Sequence, residues 1–221
     1  FSLLGFPVTG SPFVFLVVLF LGAPRGSEWT AQVFGRLGIW FAVVFVAILW
    51  HELGHALLIR RYGYAPSIVL HGLGGATAWG RGPAPPTPRQ RLWVSLAGPF
   101  AGIAVGLPLL ALDLTTTPGH WALAEAVRVG WFTTFGWGVL NLVPMLPWDG
   151  GHALESAVDV FAEGRGRVVA AGATFVVAAA ATGAAWLLLG AGGGALWITL
   201  LCLLSVSTAS RALRASAPPR D

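Results

Sequence analysis

The chain has no lysine, and only nine of its 221 residues are acidic. It has one cysteine, Cys202, and one methionine, Met145, but no initiating methionine, since it begins at Phe1. Each scarcity excludes something. A single cysteine forbids an internal disulfide and a thiolate zinc cluster, so Cys202 reads as a small buried helix residue. With charged residues at 10% and apolar residues at 56%, the composition lies far outside that of soluble domains. All thirteen basic residues are arginines. They are not clustered with interleaved aromatics, so they read as topology signals and no nucleic-acid surface is expected. The missing start residue suggests a processed N-terminus, and the stretch that follows reads as a span rather than a signal peptide.

What is present is apolar sequence in long blocks, with a mean hydropathy of +0.75. The expected fold is an all-α polytopic membrane protein with about six transmembrane helices and a short membrane-associated β-hairpin. The spans fall at about 3–23, 37–59, 92–112, 123–143, 168–189 and 195–209, forming one membrane-embedded domain over 1–221. The first is the weakest, interrupted by Pro7, Gly10 and Pro12. The hairpin is expected at about 67–79, where Ile68-Val69-Leu70 and Ala76-Thr77-Ala78-Trp79 flank a glycine-rich turn. It is too short to span and too apolar for a solvated loop, so it suits either a dip beside the helix before it or a surface turn. Gly82–Pro88 follows as a stiff linker. The small residues of Ala97-Gly98-Pro99-Phe100-Ala101-Gly102 suit close helix packing.

Polar residues stand out against this background. Trp50-His51-Glu52-Leu53-Gly54-His55 puts two imidazoles and a carboxylate inside the second span. An ionised carboxylate at such depth costs on the order of 2.5–3.5 kcal/mol on insertion scales, so it calls for a partner or a function. Four residues apart, His51 and His55 share a helical face and can reach one ion, with Glu52 beside them. This is the H-E-x-x-H pattern of zinc hydrolases. Catalytic zinc takes three protein ligands and keeps a fourth position open. The third donor is sought among Asp149, Asp113, Glu125, Glu155, His71, His120 and His152.

Arginine counting sets the depth. With a cytoplasmic N-terminus, Arg60, Arg61, Arg81, Arg89, Arg91, Arg165, Arg167, Arg211, Arg214 and Arg220 lie inside, and only Arg25, Arg36 and Arg128 outside. That split obeys the positive-inside rule. His51 is then roughly 14 Å of helix rise from Arg60, within the membrane but nearer the cytoplasm. Asp113, Glu125 and His120 fall on the outer side. Asp149 follows the break Pro144-Met145-Leu146-Pro147 on the inner side, in a glycine-rich turn able to aim a carboxylate. It is the preferred third ligand, with His152 and His71 as alternatives.

Together, His51-Glu52-Leu53-Gly54-His55 and Asn141-x-x-Pro144-x-x-Pro147-x-Asp149-Gly150-Gly151 resemble the site-2 protease family of intramembrane zinc metalloproteases. Ala97-Gly98-Pro99 and the glycine hairpin resemble further elements of that family. Trp148 stands where a smaller aliphatic residue is more common, and Gly102 where asparagine is common. The resemblance implies one Zn²⁺ per chain held by His51, His55 and Asp149, Glu52 as general base and Asn141 on the substrate backbone. It implies hydrolysis of peptide bonds in or near the transmembrane segments of membrane proteins within the lipid bilayer. The location it suggests is a prokaryotic cell membrane. Six spans would leave no room for a PDZ-like or nucleotide-sensing module, so gating is expected from the membrane segments, a membrane partner protein or prior trimming of the substrate. A metal transporter or channel using the same polar residues as a transit site is the alternative.

Overall fold

A computed structural model describes residues 1–10, 29–71, 74–116 and 118–216. In chain order these form β1 (Ser2–Leu3), β2 (Phe6–Gly10), α1 (Ala31–Arg61), β3 (Ser67–His71), β4 (Gly74–Ala78) and α2 (Pro88–Thr115). There follow α3 (Trp121–Trp131), a π-helical turn (Phe132–Gly136), α4 (Trp137–Asn141), α5 (Asp149–Phe161), α6 (Gly166–Leu189) and α7 (Gly193–Ser216). Among the described residues four helices, α1, α2, α6 and α7, are long and apolar enough to cross a membrane. The chain is therefore a mostly helical integral membrane protein with a small sheet. It divides into two units, Phe1–Pro85 with Ala97–Leu140, and Pro86–Leu96 with Asn141–Asp221.

The first unit is built on α1. Thr30 opens this helix by accepting the Val33 N–H on its hydroxyl at 3.4 Å, and Arg60 and Arg61 complement the dipole in its last turn. A four-stranded sheet in the order β1-β2-β3-β4 accompanies it. β2 pairs parallel with β3, Val8 opposite Ile68, and β3 pairs antiparallel with β4, Ile68 opposite Thr77. Phe6, Val8, Ile68 and Leu70 form one buried cluster with Leu53 and Ala56 of α1. Burying each large side chain of that set is worth about 1.5–3 kcal/mol, which seats the sheet on the helix.

The sheet corrects one expectation. Residues 3–10, read from sequence as the start of a first span, form strands instead; residues 11–28, the remainder of that span, lie outside the described residues. Along β2, Phe6 and Val8 are buried while Pro7 and Thr9 are exposed, so burial has the two-residue period of a strand. The β1–β2 turn sits at Leu4-Gly5, both with positive φ (51° and 83°) as a tight hairpin requires. Arg60 ties it down, donating to the Leu4 carbonyl at 3.0 Å with its guanidinium 4.2 Å above the Phe6 ring.

Small residues set the spacing of α1, α2, the π turn and α4. A methyl added at Gly54 would stand 2.7 Å from the Ala97 carbonyl oxygen, and one at Gly138 2.8 Å from that of Pro99. At Gly102 a methyl would meet the Thr134 carbonyl at 2.8 Å, inside the π turn. The departure noted at Gly102 is thus a packing requirement: an asparagine there would push the helices apart.

In the second unit α6 and α7 pair, and the irregular stretch before α5 threads into them. Leu146 is buried with Ala170, Ala171 and Ala209, and Met145 with Ala178 and Cys202. The Leu146 N–H donates to the Thr174 hydroxyl at 2.9 Å, and that hydroxyl donates to the Ala170 carbonyl.

Candidate metal and proton-transfer site

The H-E-x-x-H segment lies in the last turns of α1, where His51, Glu52 and His55 are 7%, 4% and 6% exposed. Such residues are rarely buried without purpose. The two imidazole rings are set edge to face, and their Nε2 atoms are 3.2 Å apart. Two nitrogens bound to one tetrahedral zinc at about 2.0–2.1 Å are themselves roughly 3.3–3.4 Å apart, so the pair has the spacing of a shared ion.

Gly98 of α2 makes the space. A methyl at that position would collide with His55 Nε2 and stand 2.8 Å from His51 Nε2. The missing Cβ leaves a cradle where the two donors converge. Gly54, one residue before His55, lets α2 come close enough to bring Gly98 there. Trp50, one residue before His51, donates its indole N–H to the Ala101 carbonyl at 2.8 Å, fixing the same helix pair. Donor type, spacing and cradle all fit a divalent ion.

Glu52 points to the sheet. Its Oε2 accepts a 2.7 Å hydrogen bond from the Thr77 hydroxyl of β4, and a methyl added at Gly75 would stand 2.7 Å from Oε1. The hairpin therefore lies beside the metal-motif helix, which decides the question left open by its sequence.

The second unit holds Asn141 and Asp149. Asn141 is the last residue of α4, and Asp149 the first of α5. Between them the chain turns through Leu142–Trp148, and Gly150 and Gly151 let the first turn of α5 press on it. A methyl at Gly150 would collide with the Leu142 carbonyl, and one at Gly151 would stand 2.6 Å from Leu146 N. The carboxylate of Asp149 is thereby held in the first helical turn, where negative charge is favoured.

Several of the remaining candidates make contacts of their own. Asp113 accepts the Trp131 indole N–H at 2.9 Å, and His120 accepts the Ala122 N–H at 3.3 Å to open α3. His71 ends β3 opposite Gly74. His152 and Arg167 both approach Glu155, at 3.8 Å and 3.4 Å. The hydrogen bond from His152 holds the Glu155 carboxyl below its ordinary value; partial burial opposes this and the Arg167 charge reinforces it. Sequence reasoning missed Thr77 altogether and credited Gly98 with helix packing alone.

No family model matches the chain. Rip3 of Mycobacterium tuberculosis is 35% identical over 133 residues, which is 58% of this chain and 33% of Rip3. The zinc metalloprotease MJ0392 of Methanocaldococcus jannaschii is 25% identical over 164 residues, 71% of this chain and 44% of MJ0392. The chain thus spans between a third and a half of the length of these relatives. Among solved structures, the site-2 protease from Methanocaldococcus jannaschii matches with a TM-score of 0.61 at 22% identity, covering 100% of this chain and 95% of that one. The chain has the site-2 protease fold. Within that fold, the paired histidines and Glu52 occupy α1, and Asn141 and Asp149 bracket the break before α5.

Proposed function

We propose that the protein is an intramembrane zinc endopeptidase of the site-2 protease family, cleaving peptide bonds in or near membrane-spanning segments of other membrane proteins. The observation that carries this reading is the buried His51–Glu52–His55 set, with both Nε2 atoms converging on the space at Gly98. Similarity to the zinc metalloprotease MJ0392 and the shared fold support it.

His51, His55 and Asp149 are the proposed ligands of one Zn²⁺ per chain. Asp149 is favoured as the third because Asp113, His120 and Glu155 are engaged elsewhere, as described above. When bound, the ion supplies Lewis-acid polarisation of a carbonyl and acidifies its water ligand to a pKa near 7. Glu52 takes a proton from the attacking water and returns it to the leaving amine. Asn141 offers its side-chain amide N–H to the substrate backbone, where a donor aimed at developing negative charge counts most. The substrate helix must unwind locally, since its own hydrogen bonds occupy the carbonyls.

The proposed topology keeps six spans. α3, the π turn and α4 run unbroken in helical conformation from Trp121 to Asn141 and are long enough for the fourth. The arginine asymmetry puts the site nearer the cytoplasm. The test is cleavage of a model transmembrane peptide by zinc-loaded protein. Glu52→Gln is expected to retain zinc and lose cleavage; an active Glu52→Gln protein would refute the reading.

A further inference from the structure

We propose that Thr77 is a positioning residue for Glu52, fixing one carboxylate oxygen so that the other is presented to the proton it takes. This inference rests on the proteolytic reading above. Its ground is the way β4 meets α1. Thr77 and Gly75 are two apart on one strand and so share a face. Thr77 places its hydroxyl 2.7 Å from Glu52 Oε2, while Gly75 presents a bare Cα beside Oε1. One oxygen is thus held by the hydroxyl, while the bare Cα of Gly75 makes room for the rest of the side chain: an added methyl would stand 2.5 Å from Cγ and 2.7 Å from Oε1.

The hydroxyl is well placed to orient a carboxylate. Glutamate has three side-chain torsions, and on a helix its headgroup has several staggered choices. Threonine is stiff at χ1, so its donor direction is set by its backbone. That backbone is fixed in turn, because Thr77 lies opposite Ile68 in the ladder and Ile68 is buried against Leu53 and Ala56, the near neighbours of Glu52. The same hydroxyl is 3.2 Å from the Glu52 backbone carbonyl, so the shorter bond goes to the carboxylate. A hydrogen bond to an ionised acceptor is roughly twice as strong as a neutral one. The sheet therefore reaches the proposed proton acceptor through one side chain, and any displacement of the hairpin would release it.

Two variants separate hydrogen bonding from packing. Thr77→Val keeps the branched shape and removes the donor, whereas Thr77→Ser keeps the donor and loses the methyl. In the full-length zinc-loaded protein acting on a transmembrane peptide, Thr77→Val is expected to lower kcat about ten- to thirtyfold with KM within about twofold. Zinc content and melting temperature are expected to stay at wild-type values, and Thr77→Ser to recover to within about threefold of wild type. A second readout needs no activity. The infrared difference between metal-free wild type and Glu52→Gln isolates the Glu52 carboxyl band, which Thr77→Val should shift and Thr77→Ser should not. Wild-type kcat in Thr77→Val, equal impairment of both variants, or loss of zinc or folding along with activity would overturn the proposal. Absence of cleavage by the wild type would refute the proteolytic reading instead, and an unmoved carboxyl band would still overturn the role of Thr77.

Discussion

At the scale of single residues, the site depends on a missing side chain as much as on those present. Gly98 leaves the space into which two histidine nitrogens point, so Gly98→Ala should damage metal binding without unfolding the chain. The expected result is at least a tenfold drop in zinc affinity by titration, because a methyl would occupy the convergence point of His51 and His55. Retained affinity would mean that the ion, if bound, lies elsewhere. Away from the metal motif, Glu155 makes a pH-dependent contribution. Its carboxyl is held below its ordinary 4.5, chiefly by His152, in a helix that is not among the candidate spans. A depressed folded-state pKa stabilises the protein above the unfolded value, and that stability fades as pH falls below about 4.5 through the lowered folded pKa. Glu155→Gln should therefore lower the melting temperature at pH 7 and narrow the gap from wild type under acid conditions. A difference independent of pH would contradict this.

At the scale of elements, the joints are small and polar. Asp159 of α5 accepts the Gly166 N–H at 2.9 Å where α6 begins, and receives Arg91 of α2 at 3.2 Å. Its side chain is only 12% exposed, so Asp159→Ala would leave the Gly166 N–H without its acceptor and Arg91 without its carboxylate partner, though still bonded to the Pro86 carbonyl. A loss of about 1–3 kcal/mol is expected by reversible unfolding; a neutral effect would show that the pair is solvated. The four long helices were legible because each holds a long stretch dominated by apolar residues, and the glycine hairpin because its arms have strand composition. β1 and β2 were not. Phe6-Pro7-Val8-Thr9 is an apolar stretch whose two-residue period is hidden among other apolar residues, and its pairing partner lies some sixty residues along the chain. The π turn at Phe132–Gly136 has no local signature either; it shows in the close approach of Gly102 and Gly106 to Thr134 and Phe135. His51, Glu52 and His55 could be read from spacing alone. The Thr77 contact could not, since nothing local tells a threonine in a strand which helix it will face.

At the scale of the whole molecule, a chain with few charges uses them at joints and at its proposed chemistry. The proposed topology, which rests on the arginine distribution, has Arg60 and Arg61 of α1 facing the cytoplasm. A cysteine placed at Arg61 in a Cys202→Ala background should react with a membrane-impermeant maleimide only after inverted vesicles expose that face. Labelling from the outside of intact cells would reverse the topology. The matched segments cover only 33% of Rip3 and 44% of MJ0392, so whatever regulates those proteins is a separate question from how zinc is held.

That holding is the central claim, and zinc stoichiometry tests it most directly. Metal analysis of purified wild type, His55→Ala and Asp149→Ala should give one zinc per chain in the first and at most a tenth of that in the other two, with helical content unchanged. An Asp149→Ala protein that keeps a full equivalent of zinc would contradict the account, because the third ligand would then have to come from another residue.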